Sequence, residues 1–75
     1  MNNIREPITD IGVSQVAKAC GVSNRAVYKW LKNESLPMTE FFGKTSYAKA
    51  IQKVSKGKYK ASDLLRVSQK KLLAA

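Results

Sequence analysis

The side chains able to do chemistry in this chain are overwhelmingly cationic. Fourteen lysines and arginines stand against five acids, for a formal net charge of +9 and a pI near 10. A small domain so charged repels itself, and an acidic partner relieves that repulsion. Nucleic acid fits best, and an anionic membrane surface is the weaker alternative. Composition does not choose between DNA and RNA. The charge is also uneven, because from Lys44 onward nine basic residues accompany a single acid, Asp63. A solvated, solubilising face is the plain explanation of that half. A surface that tracks phosphates is preferred, because the rest of the chain supplies a reader.

Other chemistries find little support. There is no histidine, and Cys20 is the one cysteine, so neither an intrachain disulfide nor an ordinary structural zinc site can be built. Glu34, Glu40 and Asp63 are scattered through the chain and form no carboxylate pair for acid–base work. Without a nucleophile–base pair, an enzyme is not expected, nor is a metal, a cofactor or a small-molecule ligand. No apolar run approaches the roughly 20 residues that span a bilayer, and the N-terminus lacks the pattern of a signal peptide. A single domain over residues 1–75, soluble and cytoplasmic in a reducing compartment, is the expectation.

The elements that must position these charges follow from hydrophobic spacing. Ile4, Ile8 and Ile11 mark one helical face over residues 3–11, with Pro7 best tolerated in the first turn. A second helix is expected to start at Ser14 as N-cap, with Val13, Val16, Ala17 and Cys20 inward and Gly21 ending it. Ser23 caps a third helix through Lys32, on which Val27, Trp30 and Leu31 share a buried face. Asn24, Arg25, Tyr28, Lys29 and Lys32 lie away from that face. A turn over residues 33–37 follows from Pro37, since the residue before proline avoids helical geometry. Residues 38–45 read as an irregular loop pinned by Phe41 and Phe42, or as a short strand. A fourth helix covers roughly residues 46–56 and stops at Gly57. A fifth begins at Ser62 and Asp63, and residues 69–75 are expected to fray. Trp30, Phe41, Phe42 and Tyr47 are assigned to the core, and Cys20 to a buried, unreactive position. The fold class is therefore all-α, a compact bundle of about five short helices, with a short β-hairpin as the alternative for the C-terminal segment.

Residues 13–31 fill every slot of a helix-turn-helix. Ala17 is small where the second helix must cross the first, and four residues later Gly21 makes the sharp turn. Val22 plugs the angle, Ser23 caps, and Val27 and Trp30 tie the second helix to the core. With Leu36 and Pro37 after it, the stretch from Gly12 to Leu31 resembles the Cro-like repressors of temperate phages and their prophage-encoded relatives. Residues 47–51, the turn at Gly57 and Lys58, and residues 62–65 are similar to the tail of the same group. Pro7 and residues 38–45 depart from the pattern, and relatives that close with strands leave the C-terminal fold open.

The resemblance implies that Ser23, Asn24, Arg25, Tyr28 and Lys29 read base edges in the major groove of double-stranded DNA. Their chemistry suits that role: Asn pairs bidentately with adenine and Arg with guanine, each good pair contributing roughly 1–3 kcal/mol of discrimination. Ser14 and Gln15, at the positive end of a helix, together with Lys32 and Lys44, are the phosphate-binding candidates. The implied protein is a transcriptional repressor that occludes a promoter on a pseudo-palindromic operator. It would be a homodimer on DNA and weakly associated or monomeric when free, acting on the nucleoid of a bacterial host. A protein-interaction module (an antitoxin or a phage-encoded host inhibitor), a recombination directionality factor and a single-strand or RNA binder are the rival readings.

Overall fold

In the computed structural model, which describes residues 3–74, five helices and one turn of 3-10 helix follow in order. They are α1 (Arg5–Ile11), α2 (Val13–Cys20), α3 (Asn24–Asn33), the 3-10 turn Met38–Glu40, α4 (Tyr47–Val54) and α5 (Ala61–Ala74). No strand occurs among the described residues, so the β-hairpin alternative is discarded. In the last segment Leu64 and Ser68 are both fully buried four residues apart, a helical period and not the alternation of a strand.

Pro7 sits in the first turn of α1, where its missing N–H has no intrahelical acceptor to lose, and it is buried beside Ile8. Gly12 makes the corner between α1 and α2 with φ 107° and ψ 136°, a conformation closed to side chains. That corner corrects one expectation. α2 starts at Val13, and Gly12, not Ser14, occupies the cap position, its carbonyl accepting from the N–H of Val16 at 3.0 Å. Two helices joined by one residue leave no extended position for Ser14, which lies exposed in the first turn.

α2 ends as its sequence foretells. Gly21 is left-handed at φ 70°, its N–H donates to the Lys18 carbonyl, and the Val22 N–H reaches back to Ala17 at 3.0 Å. α3 closes in the same way with Glu34 in the left-handed position, although it carries a side chain. The Glu34 carboxylate accepts from Asn3 Nδ2 at 3.1 Å and pairs with Lys71 Nζ at 3.6 Å, so the strained residue ties α3 to α5.

The core consists of Ile4, Ile8, Val16, Ala17, Val27, Trp30, Leu36, Ala48, Ile51 and Leu64, with α2 central between α3 and α4. Trp30 is 6% exposed and lies against Tyr47, ring centroids 5.0 Å apart. Phe42 departs from its expected role: it is 66% exposed, and Phe41 is only half-buried. The 3-10 turn swings Glu40 inward instead, which leaves Phe42 facing outward.

Two connections between distant elements complete the frame. Ser68 Oγ accepts the buried N–H of Leu36 at 3.0 Å, fixing α5 on the segment after α3. Gln52 Oε1, on α4, accepts the N–H of Ala61 at 2.7 Å and so caps α5, which starts ahead of Ser62. α5 continues helical through Ala74, past the boundary set for a frayed tail.

Candidate nucleic-acid interface

The short helix α3 is sharply two-sided. Val27 and Trp30 are buried, whereas Asn24, Arg25, Tyr28, Lys29 and Lys32 are all exposed, Tyr28 by 58%. Ser23 is extended at the cap position and its Oγ accepts the N–H of Ala26 at 3.3 Å. This bond engages one of the orphan donors of the first turn and fixes where the helix begins. The starts of α2 and α3 are held together, because Asn24 Nδ2 donates to Ser14 Oγ at 3.4 Å. Gln15 is exposed next to Ser14 in the first turn of α2. There the leading N–H groups have no intrahelical acceptor, so the end carries partial positive charge.

Of the nine residues singled out by sequence, the structure thus brings seven onto two adjoining helix starts and the outer face of α3 (Ser14, Gln15, Ser23, Asn24, Arg25, Tyr28, Lys29), with Lys32 one turn further along. Lys44 stands apart. It is exposed in the turn after the 3-10 helix, its N–H bonded to the Thr39 carbonyl at 3.0 Å.

Electrostatics favours an anion on this face. Between Ile11 and Asn33 there is no acidic residue, while Lys18, Arg25, Lys29 and Lys32 are present. The acids lie elsewhere. Glu6, Asp10 and Asp63 line one surface cleft with Lys58 and Tyr59, formed by α1 and the α4–α5 connection. In it Asp10 Oδ2 accepts from Lys58 Nζ and from the Tyr59 hydroxyl, each at 2.8 Å. Those bonds, that from Lys58 foremost, hold the Asp10 carboxyl below its usual range and push Lys58 and Tyr59 upward.

Sequence reasoning passed over Glu40. Its side chain is buried and caps α4 from upstream: Oε2 accepts the N–H of Tyr47 and Oε1 that of Ala48, both at 2.9 Å, with the Thr45 hydroxyl also donating. No local signal marks a cap seven residues away. Cys20 is half-buried, its thiol facing the Tyr47 carbonyl at 3.8 Å. Burial, assisted by the charge of Glu40, pushes its pKa up to about 11, which suits a packing role and not a nucleophile. Among the described residues no group of acids and cysteine could hold a metal, and no helix is long and apolar enough to cross a membrane.

No family model and no solved structure matches the chain. It is, however, 46% identical over 68 residues to the 8.4 kDa cro protein of Escherichia phage HK022, covering 91% of this chain and 90% of that protein. The chain belongs to the Cro-like family of phage proteins. An alignment spanning nine-tenths of both chains makes the likeness one of the whole Cro-like domain, not of the helix-turn-helix alone.

Proposed function

We propose that this Cro-like protein is a sequence-specific double-stranded DNA-binding regulator, a repressor that occludes a promoter by inserting α3 in the major groove. The observation that carries the reading is the outer face of α3: a run of hydrogen-bonding and cationic side chains with no acid from Ile11 to Asn33, anchored at its start to α2 through Asn24 and Ser14. In this reading Ser23, Asn24, Arg25, Tyr28 and Lys29 meet base edges. Ser14, Gln15, Lys32 and Lys44 meet phosphates, which set the register of the helix without reading sequence. One such helix covers few base pairs, so useful specificity calls for two copies on a pseudo-palindrome. With a charge of +9 on each copy, free association is opposed, and DNA supplies the neutralising partner. The place of action is then the nucleoid in the host cytoplasm.

Selection from a random duplex pool, followed by gel-shift titration, tests this. A two-fold symmetric site should emerge. Arg25→Ala and Asn24→Ala should each cost about 1–3 kcal/mol of discrimination, roughly 5- to 150-fold, at one position of each half-site. Selection of no consensus, or unchanged discrimination in both variants, would refute the reading helix.

A further inference from the structure

We propose that the outer face of α4, with the turn just past its end, is a second, sequence-independent phosphate-binding surface, on which Lys49, Lys53 and Lys56 engage duplex DNA flanking the base pairs read by α3. This rests on the DNA-binding reading above and extends it to a different part of the molecule.

The basic C-terminal half is not uniform once folded. Lys58, Arg66 and Lys71 are tied to Asp10, Asp63 and Glu34. Lys49, Lys53 and Lys56 are exposed, line one shallow cleft together with Gln52, Gly57 and Ala61, and have no ion-pair partner among the described residues. Glu40 shares a neighbouring cleft with Lys49 but is buried, its two oxygens accepting from the N–H groups of Tyr47 and Ala48. Glu34 is held by Asn3 and Lys71, and Glu6, Asp10 and Asp63 gather in the cleft beside α1. Like charges spaced four apart on a helix repel by a few tenths of a kcal/mol per pair. The free protein bears that repulsion, and an anion lying along α4 removes it.

The dimensions fit a polyanion. Four residues of helical rise put Lys49 and Lys53 about 6 Å apart along α4, a length over which duplex DNA presents about three or four charges, and Lys56 follows in the left-handed turn just past the helix end. Lysine is suited to this task, being a flexible point charge that binds phosphate without demanding a fixed geometry. The stripe also lies away from the reading face. α4 meets the C-terminal end of α2, where Cys20 faces Tyr47 and Ala19 borders the cleft of Ala50, Lys53 and Val54. Ser14 and Asn24 mark the opposite end, and eight-residue α2 is about 12 Å long. DNA on α4 therefore lies beyond the base pairs under α3. A lipid surface is the poorer partner, because the exposed large apolar side chains Tyr28, Met38, Phe42 and Leu73 all belong to other elements.

The test compares the full-length protein with a Lys49→Gln/Lys53→Gln/Lys56→Gln variant by fluorescence anisotropy. Two duplexes carry the selected site, one with long flanks and one trimmed to the site, titrated from 50 to 200 mM NaCl. On the flanked duplex the variant's log–log salt slope should be shallower by about 2.7, so the wild type loses about 40-fold more affinity across that range. Preference for the operator over a scrambled duplex should be unchanged, and the difference should shrink on the trimmed duplex. An unchanged slope overturns the proposal. So does a loss equally large on the trimmed duplex, or an altered operator preference. Should circular dichroism show the triple variant unfolded, Lys53→Gln alone decides, with a slope lowered by about 0.9 expected and an unchanged slope refuting. Arg25→Ala, run in parallel, separates the two readings: if it leaves discrimination intact while the lysine variant still lowers the slope, α3 reading fails and the α4 surface stands.

Discussion

Removing the Glu40 carboxylate should destabilise the domain far more than an acid in a connecting segment would suggest. Ser46, at the cap position of α4, makes no capping bond, so Glu40 alone among the side chains accepts from Tyr47 and Ala48. Glu40 is 9% exposed, and its carboxylate also faces the positive end of the helix. In Glu40→Ala the buried N–H of Ala48 and the part-buried N–H of Tyr47 lose their acceptor, at about 1–3 kcal/mol for a buried donor and less for the other, so a total loss of about 3 kcal/mol is expected. A 75-residue domain holds only roughly 4–11 kcal/mol in all, and the variant should sit near the edge of folding. Glu40→Gln keeps one carbonyl acceptor but no charge, and should lose about 2 kcal/mol, lowering Tm by roughly 8–16 °C. Urea denaturation followed by Trp30 fluorescence is the assay, since the indole lies against Tyr47 in the first turn of α4. If Glu40→Ala stays within about 0.5 kcal/mol of the wild type, water replaces the carboxylate and the capping argument is wrong.

Three further outcomes are expected. Gly12→Ala should cost about 1–3 kcal/mol by urea denaturation although nothing lies within 4 Å of the added Cβ, because the backbone at φ 107° is the obstacle; a neutral result would show that the corner relaxes. Asp10→Asn should bring the Tyr59 phenol back down toward its ordinary value, read as an earlier rise in ultraviolet absorbance on alkaline titration; an unmoved phenol band would deny the bond. The same depressed Asp10 carboxyl contributes stability above its unfolded value of 3.8, and that contribution fades as pH falls through the lower folded value. Cys20, raised from 9.0 to about 11, should react with a thiolate-specific reagent roughly 100-fold more slowly at pH 8 than a free cysteine, and unfolding should release it. Because the unfolded chain ionises first, this thiol also makes the fold lose stability as pH rises above about 9. Labelling at the free-thiol rate would contradict the burial.

The helix-turn-helix was legible because every interaction defining it is local. Ser23 bonds three residues ahead, Gly21 and Val22 reach back three and five residues, and Val27 and Trp30 share a face at helical spacing. The exposure of Asn24, Arg25, Tyr28 and Lys29 follows from the same period, since a side chain off the buried stripe of a short helix has nowhere else to point. Composition supplied the anionic partner as a class, and the likeness of residues 12–37 to Cro-like repressors carried the family.

Tertiary structure decided what depends on distant partners. Ser14 reads as a cap by residue type, yet Gly12 takes the position because α1 and α2 abut, a matter of backbone geometry. Phe42 reads as core and is solvent-exposed, whereas Glu40, in sequence only one of three scattered acids, is buried, because the N–H groups of α4 required an acceptor that Ser46 does not provide. Gln52 capping α5 and Ser68 holding the Leu36 N–H likewise join residues nine and 32 apart, beyond any local pattern. The cationic half shows the division best. Sequence by itself determined that nine basic residues would accompany one acid from Lys44 onward. Only folding sorted them, because an ion pair needs its acid within a few ångströms. Asp10 and Glu34 reach Lys58 and Lys71 across the chain, and the lysines of α4 are left with their charge unopposed.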